Sequence, residues 1–92
     1  GLIQIESGLH KLGLSFISSK GNFIAFNVHP EGENNKASYT GMDVYQLLLK
    51  EGVIVRPLAN YKMPDFLRVS IGLPEENQRF LSSLSSVLNS LL

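Results

Sequence analysis

The sequence predicts an α+β domain: a small two-layer sandwich with a mainly antiparallel four-stranded sheet and helices packed on one face. Three observations lead there. Apolar residues recur at helical spacing in three separate segments, and short runs rich in aromatic and β-branched residues fall in pairs between them. The resulting order is helix, strand, strand, helix, strand, strand, helix, in a chain of 92 residues with room for one modest core.

Leu2, Ile5, Leu9 and Leu12 share one helical face, so the first helix is expected to run to Lys11 or Leu12 and to stop at Gly13, which tolerates positive φ. Leu14 to Ile17 alternates weakly as a strand. It is expected to pair as a hairpin, across Ser18-Ser19-Lys20-Gly21, with the strand read from Asn22 to Val28. His29 to Ser38 is polar, contains Pro30 and Gly32, and reads as a surface loop.

Thr40 followed by Asp43 makes a capping box ahead of Val44, Leu47 and Leu48, and Lys50-Glu51-Gly52 closes that helix. Val53-Ile54-Val55 is read as the third strand, ended by Arg56-Pro57 because proline cannot donate into a ladder. Leu58 to Asp65 is read as a loop. In the fourth strand, Phe66 to Ile71, the residues Leu67, Val69 and Ile71 face one way and Phe66, Arg68 and Ser70 the other. Pro74 starts the last helix, with Glu75 and Glu76 in the turn where the helix dipole favours negative charge, and Phe80, Leu84, Val87, Leu88 and Leu91 form its apolar stripe.

Composition narrows the function. Eight basic residues balance eight acidic ones, so no basic stripe is expected for nucleic acid, and no apolar run reaches the length of a membrane span. The absence of cysteine excludes disulfides, thiolate metal sites and a thiol nucleophile. His10 and His29 lack a third ligand at metal spacing, so no metal site is expected. Lys20 is read as a solvated turn lysine, since a reactive lysine needs a desolvated site, and the Glu75-Glu76 pair is explained by the helix dipole.

Two arginines stand out. Arg68 is the charge inside the fourth strand, where a guanidinium is costly unless its stem packs and its fork finds an anion. Arg56 ends the preceding strand, so the two are expected to project toward the same edge of the sheet. Each is either a salt-bridged edge arginine or part of a bidentate grip on a carboxylate or phosphate.

The segments Gly52-Val53-Ile54-Val55-Arg56-Pro57-Leu58, Tyr61 with Pro64, Leu67-Arg68-Val69-Ser70-Ile71-Gly72, Pro74-Glu75-Glu76-Asn77 and Phe80-Leu81 together resemble the C-terminal small domain of the histidinol-phosphate aminotransferases, fold-type I enzymes dependent on pyridoxal phosphate. Gly13-Leu14 and Ser19-Lys20-Gly21-Asn22-Phe23 extend the resemblance over essentially the whole chain. It departs at Ser18, Gly21 and Lys62, where the family usually has proline, alanine and glycine, and at Leu73, where it has a capping hydroxyl. Glu76 is still placed to reach back to the backbone there.

The resemblance implies that Arg68 grips the substrate's anionic end, the α-carboxylate of glutamate in one half-reaction and the phosphate of imidazole acetol phosphate in the other. It implies that Arg56 assists with the phosphate, and that Asn22 lies near the domain junction. The lysine, aspartate, tyrosine and phosphate-cup residues that hold pyridoxal phosphate in such enzymes belong to the large domain. No catalytic residue and no bound cofactor are therefore expected on this chain itself.

Residues 1–92 are accordingly read as a single domain, the small domain excised from a longer aminotransferase, as the start inside a helix at Gly1-Leu2-Ile3-Gln4 also suggests. The partner of the chain is then the large domain of its own full-length protein, expected to be a cytoplasmic homodimer. Two other readings remain open. One is the small domain of a related enzyme such as threonine-phosphate decarboxylase, and the other is a free-standing α+β binding or regulatory module.

Overall fold

The order of elements in the computed structural model follows the sequence pattern, and the structure describes residues 2–18, 22–30, 39–58 and 65–91. The expected turn through Ser19, Lys20 and Gly21, the loop positions 31–38 and the stretch containing Tyr61, Lys62 and Pro64 lie outside the described residues.

Helix α1 (Leu2–Lys11) buries Ile5 and Leu9. It ends in a Schellman motif: Leu14 N–H donates to the Leu9 carbonyl at 3.0 Å and Gly13 N–H to that of His10 at 3.0 Å. Gly13, at φ 77°, supplies the left-handed residue the motif requires. Strands β1 (Phe16–Ser18) and β2 (Phe23–Asn27) then pair antiparallel.

Helix α2 (Gly41–Lys50) starts on the expected capping box: Asp43 N–H donates to the Thr40 hydroxyl oxygen, and Thr40 N–H to the Asp43 carboxylate at 2.9 Å. A second Schellman motif ends it. Gly52 (φ 79°) donates to the Leu49 carbonyl at 3.0 Å, and Val53 to that of Leu48 at 2.9 Å.

That motif corrects the expected third strand. Val53 is still the closing residue of the helix-end turn, so the chain aligns beside β4 only afterwards, with β3 at Arg56–Pro57 in place of Val53 to Val55. Pro57 is itself the strand's last residue, not a stop placed after it. Strand β3 lies at the sheet's edge and pairs only with β4 (Phe66–Ser70). Leu58 N–H donates to the Phe66 carbonyl at 3.3 Å, which makes 58:66 and 56:68 the hydrogen-bonded pairs. Pro57 falls between them, where its nitrogen points away from β4 and no donor is missed.

The sheet order is β1-β2-β4-β3 with every pairing antiparallel. Ile24, Phe26, Val28, Leu67 and Val69 point into the core, where they meet α1, α2 and α3 (Pro74–Leu91). Phe80, Leu84, Val87 and Leu88 of α3 are buried as its stripe predicts, and Phe80 meets Phe26 edge to face with ring centroids 5.5 Å apart. Gly8 lets α1 approach α3: a Cβ there would collide with the Leu81 side chain. No helix among the described residues is long and apolar enough to cross a membrane.

One buried polar residue ties the layers together. Asn77, 2% exposed, accepts from Gly72 N–H at 2.9 Å and donates to the Gly72 carbonyl and to Gln4 Oε1, both at 3.1 Å. Gln4 in turn donates to the Pro74 carbonyl at 3.0 Å. Leucine is nearly isosteric but would strand these groups, so Asn77→Leu is expected to cost about 2–3 kcal/mol. Urea unfolding checks this as a lower midpoint at unchanged m-value.

Candidate functional site

The helices occupy one face of the sheet and leave the other to Phe23, Ala25 and Asn27 of β2 and to Phe66, Arg68 and Ser70 of β4, as strand alternation requires. Across the middle of that face the register sets Ile17 opposite Ala25, Ala25 opposite Arg68, and Arg68 opposite Arg56. Ile17 is 57% exposed. Arg68 is half-buried, points away from the helical layer and lies on an interior strand beside the edge.

Arg56 is exposed on the edge strand. Expected toward the same edge of the sheet, the two arginines stand on neighbouring strands, Arg56 on the edge and Arg68 on the strand inside it, as direct cross-strand neighbours. Like charges in that relation repel. Among the described residues His29 Nε2 is hydrogen-bonded to Asp65 Oδ1 at 3.1 Å, and no carboxylate of those residues lies within ion-pair distance of either arginine. Instead the Arg68 guanidinium lies over the Phe23 ring, 4.8 Å from its centroid.

Beside them a cleft of about 390 Å³ opens at the β3 edge, lined by Tyr45, Ile54, Pro57 and Leu58 together with Arg56 and Arg68. The cleft thus brings two arginines together with a phenol and Ile54, which is 74% exposed.

Other expected positions fall elsewhere. Asn22 lies one residue before β2, exposed, with its backbone carbonyl accepting from Ile71 N–H at 2.6 Å, and it does not line the cleft. His10 is exposed on α1. His29 stacks on Tyr39, centroids 4.7 Å apart, and Tyr39 donates to the Val28 carbonyl at 2.8 Å, so this histidine ties the end of β2 to the entry of α2. Among the described residues no three potential metal ligands cluster. Glu76 accepts from Leu73 N–H at 2.9 Å, so the helix start is capped without a hydroxyl residue, as expected.

Phe23, Ala25 and Tyr45 are the residues of this site that sequence reasoning passed over. The first two become visible only through the β2–β4 register, and Tyr45 only through the packing of α2 beside the edge strand.

The family profile of the class I and II aminotransferases matches residues 3–84. This chain belongs to that family. Histidinol-phosphate aminotransferase 2 of Pseudomonas aeruginosa is 58% identical over 88 residues, covering 96% of this chain and 21% of that protein. Histidinol-phosphate aminotransferase of Methylobacillus flagellatus is 53% identical over the same shares. The chain thus spans about a fifth of the length of these relatives.

Among solved structures, the histidinol-phosphate aminotransferase of Clostridium acetobutylicum superposes with a TM-score of 0.79 at 26% identity, over 98% of this chain and 26% of that one. L-threonine-O-3-phosphate decarboxylase of Porphyromonas gingivalis superposes with a TM-score of 0.75 at 19% identity, over 96% and 26%, a likeness of fold. The four-stranded sheet with its three helices is thus a fold shared with these enzymes.

Proposed function

We propose that this chain is the C-terminal small domain of a pyridoxal-phosphate-dependent aminotransferase that moves an amino group between glutamate and imidazole acetol phosphate in histidine biosynthesis. The observation that carries the reading is the Arg56–Arg68 pair, set directly opposite each other on the face of the sheet away from the helices, with no carboxylate of the described residues in ion-pair contact with either. A site that holds two like charges side by side is stabilised by an incoming anion, and a guanidinium fork presents the same donors to carboxylate and to phosphate. The high identity to histidinol-phosphate aminotransferases supports that substrate class.

Arg68, the more buried and better held of the two, is the principal grip and Arg56 the assistant. The described lysines Lys11 and Lys50 are exposed on the helical layer and line no part of the cleft, so they do not suit a covalent cofactor site. Pyridoxal phosphate, which supplies the electron sink for transamination, is assigned to the rest of the full-length protein, and this domain alone to no turnover. The full-length enzyme is taken to be a cytoplasmic homodimer whose large domain faces the free side of this sheet.

The test is an assay of the full-length protein with pyridoxal phosphate, glutamate and imidazole acetol phosphate. Stoichiometric 2-oxoglutarate and histidinol phosphate are expected. Carbon dioxide released from phosphothreonine would instead carry the decarboxylase reading, and turnover of neither substrate would sink the enzymatic reading in favour of a binding module.

A further inference from the structure

Arg68 is held from two sides. On β3 its direct neighbour is Arg56, a like charge that disfavours any rotamer leaning that way. On β2 its direct neighbour is Ala25. Ile71 N–H donates to the Asn22 carbonyl and Val28 N–H to the Asp65 carbonyl, so the hydrogen-bonded pairs of β2 and β4 are 22:71, 24:69, 26:67 and 28:65. Ala25:Arg68 is therefore a non-hydrogen-bonded pair, the narrow kind in which Cα atoms approach to about 4.5 Å and side chains crowd.

A methyl group at that narrow point leaves the lane above β2 clear. The guanidinium lies over Phe23, the diagonal neighbour on the same face, at 4.8 Å from the ring centroid. Repulsion from one strand, space on the next and a ring face at the end of the lane all select the same rotamer.

We infer that Phe23 and Ala25 are positioning residues for Arg68, together forming a shelf that fixes the guanidinium on the free face of the sheet before an anionic substrate arrives. The inference rests on the reading of Arg68 as the substrate-anion group. Its physical content is preorganisation: an arginine side chain loses rotamer freedom when it engages an anion, and a residue that has already removed that freedom lowers the cost of binding. A cation–π contact engages the guanidinium without using its N–H donors in hydrogen bonds to the ring's substituents, which phenylalanine lacks.

The experiment uses the full-length holoenzyme and steady-state kinetics with both anionic substrates. Phe23→Leu, which keeps apolar bulk and removes the ring face, is expected to raise KM for each by about 5-fold with kcat within about 2-fold. Phe23→Tyr keeps the face and is expected to restore KM. Ala25→Leu, which blocks the lane from the other residue, is expected to reproduce the KM increase, and it stands in if Phe23→Leu does not fold.

The decisive arm is the double variant. In an Arg68→Ala background, Phe23→Leu is expected to change kcat/KM no further, because the residue acts through the guanidinium. A full multiplicative loss in that background, or KM unchanged in both Phe23→Leu and Ala25→Leu, overturns the inference. Unchanged KM in Arg68→Ala alone would instead overturn the reading of Arg68 itself.

Discussion

Under the proposed function, Arg68→Ala in the full-length protein is expected to lower kcat/KM for glutamate and for imidazole acetol phosphate together, by roughly a hundred- to a thousand-fold. The size follows from what is removed. A guanidinium on the free face supplies up to two parallel charge-assisted hydrogen bonds to the same anion, and truncation leaves that anion to be desolvated without them. Arg68→Lys keeps the charge and loses the fork, so an intermediate loss is expected.

Arg56→Ala should lose less, about 10-fold, since Arg56 sits exposed on the edge strand where solvent screens it. Because the row containing Arg68 faces away from the helical layer, the thermal midpoint of Arg68→Ala is expected to stay close to that of the parent. A large drop in midpoint with unchanged kinetics would show a structural arginine instead.

The second large effect lies on the other face of the sheet. Phe26 is fully buried, paired in register with Phe16 and Leu67, and in edge-to-face contact with Phe80. Phe26→Ala is expected to cost about 3–5 kcal/mol from lost transfer energy and the cavity left between sheet and α3. A domain of this size commonly has about 5–14 kcal/mol in total, so the variant would sit near the edge of stability. Guanidinium unfolding of the 92-residue chain measures it. Phe26→Leu, which refills part of the volume, should recover more than half the loss, and a shift under about 1 kcal/mol for Phe26→Ala would mean that the core is not built around this ring.

The parts of the fold that were legible in the sequence were those with local causes. Thr40 and Asp43 make their capping box within four residues, Gly13 ends α1 because only its own φ is at issue, and the alternation of Leu67 and Val69 against Arg68 needs nothing beyond strand geometry. The boundary of β3 was misread for a reason that is also local but hidden. Val53 to Val55 has strong strand character, yet Val53 closes the Schellman motif at Gly52, so the chain aligns beside β4 only after it, and the edge position lets Pro57 into the ladder.

For the candidate site the division is sharper. The amino-acid sequence alone determined the α+β class, the three helices, the face on which Arg68 stands and the family resemblance, because each depends on residues close together in the chain. That Arg56 lies directly opposite Arg68, that Ala25 clears a lane beside it, and that Phe23 receives the guanidinium were decided by the tertiary structure. Those contacts join residues more than ten positions apart, through a sheet register that burial of Phe26 and Leu67 on the opposite face imposes.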